Sequence, residues 1–229
     1  MEYNKDYYAS NAQDIDRPAL GFYTRIWQRY CQKGPVLEFG CGVGYFARRL
    51  SKITTVYGLE INPHAIEKIK INAPSVQLVP DLDHVKTGSI ASIVSLHVLE
   101  HIPDAELRDI GISFSRVLSP GGRLLIVVPD KTGKANLIKG DTWMGFRDPT
   151  HINLKGNEAW SRWFREEWGF SVVACHADGY YDYPYQSTIW GRFTKDGSRL
   201  IRTGIQFLLG RLILPAGDGE AAIFILEKK

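Results

Sequence analysis

The clearest pattern along the chain is a series of short, nearly unbroken apolar runs separated by segments with helical spacing. VLEF at 36–39, TVYGLEI at 55–61, VQLVPD at 76–81, SIVSLHV at 92–98 and RLLIVVP at 123–129 each read as a strand. Runs that are apolar at successive positions, rather than alternate ones, belong to strands buried on both faces. Residues 17–33, 45–52, 62–71 and 104–118 read as the helices between them. The first carries Leu20, Tyr23, Ile26, Trp27 and Tyr30 at helical spacing, and the third opens on Asn62-Pro63, where proline suits a first turn. The fourth is ended by Pro120-Gly121-Gly122. Regular alternation of this kind predicts an α/β fold with a parallel sheet covered on both sides. The second half is less regular, with a helix expected over 157–170 and strands over 171–177 and 221–229.

Between the last two strands lies an insertion, residues 179–220. Its first part is dense in aromatics: Tyr180, Tyr181, Tyr183, Tyr185, Trp190 and Phe193. Its second part predicts a basic amphipathic helix over 199–214, with Arg199, Arg202, Thr203, Gln206 and Gly210 on the polar face. Leu200, Ile201, Ile205, Leu208, Leu209 and Leu212 fill the other face. Such a stripe is expected to pack on the core or on a second copy in a homodimer. A substrate lid and contact with a membrane surface through 199–214 are the alternatives. The helix is too short and too charged to span a bilayer.

With 229 residues, 44% of them hydrophobic, the chain can bury one sizeable core, and residues 1–229 are expected to form a single domain. Its N-terminal segment, 1–33, bears Tyr3, Tyr7 and Tyr8, which suit either a lid or a surface segment packed on the first helix. A net charge of +3, scattered along the sequence, gives no nucleic-acid signal. The 3 cysteines lack any CxxC spacing, so neither a disulfide framework nor a zinc ribbon is expected, and a reducing, cytoplasmic setting fits. The polar N-terminus does not resemble a signal peptide.

Candidate chemistry begins at VLEFGCGVGYF, 36–46. Three glycines in five positions, directly after a buried strand, let a ligand approach the backbone closely. The spacing is Gly40-x-Gly42-x-Gly44, and Tyr45 occupies the position where a dinucleotide-binding G-x-G-x-x-G would have its third glycine. Glu38, two residues before the loop, suits a cationic ligand better than a phosphate. Glu60 ends the second strand, where a carboxylate can accept both hydroxyls of a ribose, and Asp81 follows the third.

Together, Glu38 to Gly44 as ExGxGxG, Glu60, Asp81, HVLEHIPD at 97–104 and SPGGRLLIVVP at 119–129 resemble a class I S-adenosylmethionine-dependent methyltransferase. The resemblance covers roughly residues 30–130. It implies a Rossmann-like three-layer sandwich with a seven-stranded, mostly parallel sheet and an antiparallel last strand. It implies S-adenosyl-L-methionine lying on Gly40, Gly42 and Gly44. Glu60 with Ile61 would hold the ribose, Asp81 with Leu82 the adenine edge, and Glu38 and His97 the methionine side. The chain also bears a partial likeness to ubiquinone-biosynthesis O-methyltransferases, which share LEH after the fourth strand and a TH-containing loop after the fifth.

Methyl transfer needs a positioned acceptor and often a base. His101, and His151 in FRDPTHINL at 146–154, are the expected catalytic residues, with Asp148 placed to orient His151. Glu100 is expected to cap a local turn. HxxEH also matches an inverted zinc-protease motif, but its first histidine falls in a strand-like run. His97, Glu100, His101 and His151 also form a possible divalent-metal set whose first position departs from the metal-binding pattern, and no metal is expected. The expected function is methyl transfer to an oxygen or nitrogen of a small molecule that is lipophilic, aromatic or sugar-like. A protein or RNA methyltransferase and a non-catalytic cofactor-binding subunit are the alternatives, and a nicotinamide dehydrogenase is disfavoured by Tyr45.

Overall fold

The apolar runs become one sheet of seven strands: β1 (Val36–Phe39), β2 (Val56–Leu59), β3 (Gln77–Val79), β4 (Ile90–Leu96), β5 (Leu118–Pro129), β6 (Ser171–Ala177) and β7 (Ala221–Glu227). The structure is a computed structural model and describes residues 15–229, so the lid or surface segment expected around Tyr3, Tyr7 and Tyr8 lies outside the described residues. The strand order is β3-β2-β1-β4-β5-β7-β6. Strands β1 to β5 pair in parallel, and β7 runs antiparallel between β5 and β6. This is the mostly parallel α/β sheet with an antiparallel last strand.

Strand side chains alternate between faces, and the two sides of the sheet bury two separate cores. On one, Leu124, Ile126 and Val128 of β5 and Phe224 and Leu226 of β7 meet Phe114 of α4 (Asp104–Val117) and Trp160 and Phe164 of α5 (Asn157–Glu166). On the other, Leu125, Val127, Ile223 and Ile225 meet Phe22, Ile26 and Trp27 of α1 (Pro18–Tyr30), Leu50 of α2 (Tyr45–Ser51) and Ile69 of α3 (Pro63–Asn72). Each fully buried aliphatic or Phe side chain contributes about 1.5–3 kcal/mol. The chain leaves β1 toward β2 on one side and β4 on the other. The crevice at the carboxyl ends of β1 and β4 is where such sheets bind ligands.

The amphipathic helix of the insertion departs from expectation. It forms as α6 (Gly197–Leu209), but with its faces reversed. Thr203 and Gln206, expected in water, are buried, whereas Ile201, Ile205, Leu208 and Leu209 are exposed. The cause is hydrogen bonding. Gln206 Nε2 donates to the Ala177 and Asp178 carbonyls, at 2.9 Å each, and its Oε1 accepts from the Ile213 and Leu214 amides. Thr203 Oγ1 accepts from the Tyr180 amide at 2.9 Å. Buried backbone groups at the end of β6 require partners, and the polar stripe of α6 supplies them. Leu212, expected on the same apolar face, lies beyond the helix and is buried. Among the described residues, no helix is long and apolar enough to cross a membrane.

Two carboxyl groups are buried at this junction. Asp178 accepts from the Ala221 amide at 2.8 Å, and Glu220 accepts from Trp143 Nε1 at 2.8 Å and from the Tyr185 hydroxyl. Burial pushes the Asp178 carboxyl up from 3.8 to about 6, and Glu220 from 4.5 to about 7. A carboxyl raised on folding retains its proton longer in the folded chain than in the unfolded one. Its contribution to stability is therefore present below pH 3.8 and is lost as pH rises through about 6. Asp178→Asn, which has no such titration, should gain on the wild type by up to about 3 kcal/mol between pH 4 and 8. Thermal or urea unfolding of both proteins at the two pH values checks this, and a gap that stays constant would contradict it.

Candidate active site

A cavity of about 950 Å³ opens at the carboxyl ends of β1, β2 and β4. Glu38, Gly40, Gly42 and Gly44 line it, as do Glu60, Ile61 and His97. His101, Asp148 and His151 line it too. The fold thus brings most of the expected positions to one cavity.

Asp81 and Leu82 are not among the lining residues. Asp81 faces solvent, where its Oδ1 accepts from the His84 amide at 3.1 Å and pairs with His84 Nδ1 at 2.6 Å. Leu82 is turned into the core. A short turn, Leu82–His84, begins directly after Asp81, and its first amides need a cap. That local demand gives Asp81 Oδ1 a structural role as the cap of this turn.

The three glycines serve different ends. All have positive φ, at 74° for Gly40, 52° for Gly42 and 89° for Gly44. A Cβ at Gly40 would lie 2.4 Å from Val98, and one at Gly44 would lie 2.4 Å from Ile69, so packing within the chain forbids both. A Cβ at Gly42 would meet nothing within 4 Å. Gly42 is therefore the position whose missing side chain leaves room for a ligand.

Glu60 holds this loop. Its Oε2 accepts from the Gly42 amide at 2.8 Å, and its Oε1 accepts from the Ile61 and Asn62 amides at 2.9 Å each. Asn62 in turn caps α3 by accepting from the Ala65 amide. Glu38 is buried and one of its oxygens, Oε2, has no hydrogen-bond partner. Burial, and then the nearby Glu60 carboxylate, push the Glu38 carboxyl well above its usual range. A cation in the cavity would oppose both effects. This unpartnered oxygen and the open space at Gly42 fit a sulfonium cofactor with an ammonium group and ribose hydroxyls. Glu60 retains acceptor capacity on Oε2.

The histidine side is more tightly built. His97 ends β4 with φ 57°, a left-handed conformation uncommon for any residue but glycine. Its amide donates to the Val127 carbonyl at 2.8 Å. His101 Nδ1 lies 3.2 Å from the Thr150 carbonyl and 2.9 Å from Thr150 Oγ1. A carbonyl only accepts, so Nδ1 bears the proton and Nε2 the lone pair. Thr150 Oγ1 donates its own hydrogen bond to Asp148 Oδ1 at 2.5 Å. Asp148 therefore orients His101 through Thr150. It was expected to orient His151, whose Nε2 is 3.9 Å from Asp148 Oδ2 and too far for a hydrogen bond. His151 is held instead through Nδ1, which donates to the Gly145 carbonyl at 2.7 Å. The two rings lie 4.7 Å apart. Burial lowers the His101 pKa from 6.5, and the neighbouring His151 adds to this while Glu100 opposes it.

Glu100 is fully buried, with both carboxylate oxygens lacking a hydrogen bond, so it does not cap the turn as expected. His97 Nδ1 is 3.5 Å and His151 Nε2 4.0 Å from its Oε1. One ligand atom from each of Glu100, His101 and His151 lies within 4.8 Å of the others. Thr150 was absent from the sequence-derived site. Its signal was the Asp-x-Thr spacing of DPTH, which forms an Asx turn with the Thr150 amide bound to Asp148 Oδ1 at 2.9 Å.

Comparison with known proteins places the chain in a family. A family model described as Methyltransferase domain matches residues 8–175. A Ubiquinone biosynthesis O-methyltransferase of Xanthomonas oryzae pv. oryzae is 28% identical over 111 residues, which is 44% of this chain and 45% of that protein. An S-adenosyl-L-methionine-dependent Diels-Alderase of Talaromyces variabilis is 33% identical over 116 residues, 45% of this chain and 39% of that protein. In both cases the match spans less than half of the relative. The crystal structure of a SAM-dependent methyltransferase from Archaeoglobus fulgidus superposes with a TM-score of 0.63 at 17% identity, covering 93% of this chain and 95% of that one.

The glycine geometry makes an ordered prediction for stability. Gly40→Ala and Gly44→Ala combine a positive φ with a 2.4 Å clash and should each cost several times more than Gly42→Ala, for which backbone strain alone costs about 1 kcal/mol. Thermal melts of the three variants test the order. An equal loss in all three would contradict it.

Proposed function

Starting from the fact that the chain belongs to the Methyltransferase domain family, we propose that it is an S-adenosylmethionine-dependent methyltransferase that methylates an oxygen or nitrogen of a small lipophilic, aromatic or sugar-like molecule, with His101 as the base. The observation that carries this reading is the chain from Asp148 through Thr150 to His101. It fixes the imidazole with its lone pair on Nε2 in a residue that lines the cavity, and desolvation keeps the ring neutral near pH 7. The apolar lining near it, including Met144, Tyr181 and Phe207, suits an acceptor with a lipophilic or planar part. The O-methyltransferase relative supports an oxygen acceptor.

When bound, the cofactor supplies an electrophilic methyl group on a sulfonium. Gly42, Glu60, Ile61 and Glu38 would hold it, with His97 beside them. In this reading His101 Nε2 takes the proton of the acceptor hydroxyl or ammonium, and the Thr150–Asp148 pair stabilises the imidazolium that results. His151, locked to Gly145, shapes the same wall.

A second reading has its own observation. A buried carboxylate with no hydrogen bond is costly unless something partners it, and Glu100 lies within reach of His101 and His151. A divalent cation held by the three would orient an acceptor oxygen as a Lewis acid. Chelator-treated enzyme separates the two readings: activity that survives chelation favours the base, and activity restored only by added metal favours the cation.

His101→Gln should lower kcat by roughly 10²-fold or more while leaving the affinity for S-adenosylhomocysteine, read by calorimetry, within about twofold of wild type. Because burial lowers the folded pKa, the acid limb of the activity profile, where the base becomes protonated, should lie below pH 6.5. Thr150→Val should move that limb. An unchanged kcat in His101→Gln would remove it as the base. Glu60→Ala should weaken cofactor binding by about 1.5–3 kcal/mol, and unchanged affinity would exclude it from the site.

A further inference from the structure

The helical run from Ile189 to Leu209 turns its apolar side to water. Trp190 is 79% exposed, Phe193 76%, Ile201 64% and Leu208 82%. The exposed residues of α6 recur at steps of three and four, so they form one stripe. The arrangement is fixed from the inner side. Rotating α6 to bury its leucines would strip Gln206 from four backbone groups and Thr203 from the Tyr180 amide. The chain thus uses hydrogen bonds to hold an apolar face outward, which singles the face out as a binding surface.

Charge says what binds there. Residues 186–214 carry five basic side chains (Arg192, Lys195, Arg199, Arg202 and Arg211) against one acid, Asp196. Asp196 is fully buried and paired with Arg199. The rest of the chain holds 23 Lys and Arg against 24 Asp and Glu, so the whole basic excess lies in this segment. Lys195 and Arg211 make no ion pair among the described residues, whereas Arg202 is tied to Asp218 at 2.7 Å. Two copies packed through this face would bring like charges together, which disfavours a symmetric dimer. An anionic lipid surface accepts both the cations and the apolar groups, and exposed Trp and Phe beside Lys and Arg are what an interfacial helix needs.

We propose that the 189–209 face docks in the plane of an anionic membrane surface, with Trp190, Phe193, Ile201 and Leu208 entering the headgroup boundary. Phe207, next to Leu208, stacks on Phe22 with centroids 4.4 Å apart and lines the active-site cavity. Docking therefore places the cavity beside the bilayer. Only the consequence that a lipophilic acceptor enters from that side rests on the function proposed above.

The test is flotation of the full chain with vesicles of phosphatidylcholine alone or mixed with phosphatidylglycerol, without cofactor or acceptor, so it does not depend on the methyl-transfer reading. The chain should float with the mixed vesicles only. Lys195→Ser and Arg211→Ser should each weaken the partition about fivefold. Trp190→Ser/Phe193→Ser/Leu208→Ser should abolish it with no change in the melting temperature, because all three side chains are exposed. Glu60→Ala should float like the wild type. No flotation of the wild type, or undiminished flotation of the triple variant, would overturn the proposal. So would a wild-type dimer in sedimentation equilibrium that the triple variant dissolves, since the face would then belong to a second copy.

Discussion

The carboxylate of Glu60 accepts three backbone N–H groups, from Gly42, Ile61 and Asn62. The shape of the cavity depends on this junction. A loop with three left-handed glycines has no intrinsic preference for one form, because glycine reaches many conformations at similar cost. Glu60 ties the middle glycine to the end of β2 and at the same time sets the start of α3. The Leu59 carbonyl adds a second tie, accepting from the Gly40 and Cys41 amides. Glu38 is thereby held in a buried site close to the Glu60 carboxylate, and both burial and that charge make ionisation of Glu38 harder, an arrangement that a cationic ligand relieves.

The opposite wall follows another logic. His97 leaves β4 in a left-handed turn, and the short turn after it places Glu100 beneath two imidazoles. Burying a carboxylate without hydrogen bonds opposes folding, so the site carries a cost that the surrounding cores must offset. Thr150 and Asp148 arrive from a loop far along the chain and fix the His101 tautomer. The cavity thus joins a polar, acidic side that suits the methyl donor to an imidazole side that suits acceptor chemistry, and Phe207 and Tyr181 of the insertion also line it.

The insertion shows how polar groups can decide the orientation of an amphipathic helix. Its leucines and isoleucines would contribute more by burial than Thr203 and Gln206 if apolar area alone counted. The Ala177 and Asp178 carbonyls and the Ile213 and Leu214 amides find their partner in Gln206, and leaving such groups unpaired costs more than exposing a leucine. Gln206 can serve four of them at once because its amide both donates and accepts.

The sequence alone determined the elements that depend on local pattern. Nearly unbroken apolar runs marked the strands, since a parallel sheet covered on both sides leaves few polar positions on them. Gly-x-Gly-x-Gly followed by Glu60 marked one end of the sheet as a binding edge, because three glycines directly after a buried strand make a left-handed turn that other residues rarely adopt. Tertiary structure decided the rest. Asp81 was legible as an acid after β3 but not as the cap of the turn at 82–84, because the same residue type serves both purposes. Asp148 was assigned to the nearer histidine in the sequence, yet it acts through Thr150 on His101, 47 positions away. Periodicity showed that α6 has two unlike faces, but not which one meets water. That depended on backbone groups some 28 residues distant in the chain, which nothing in the helix itself records.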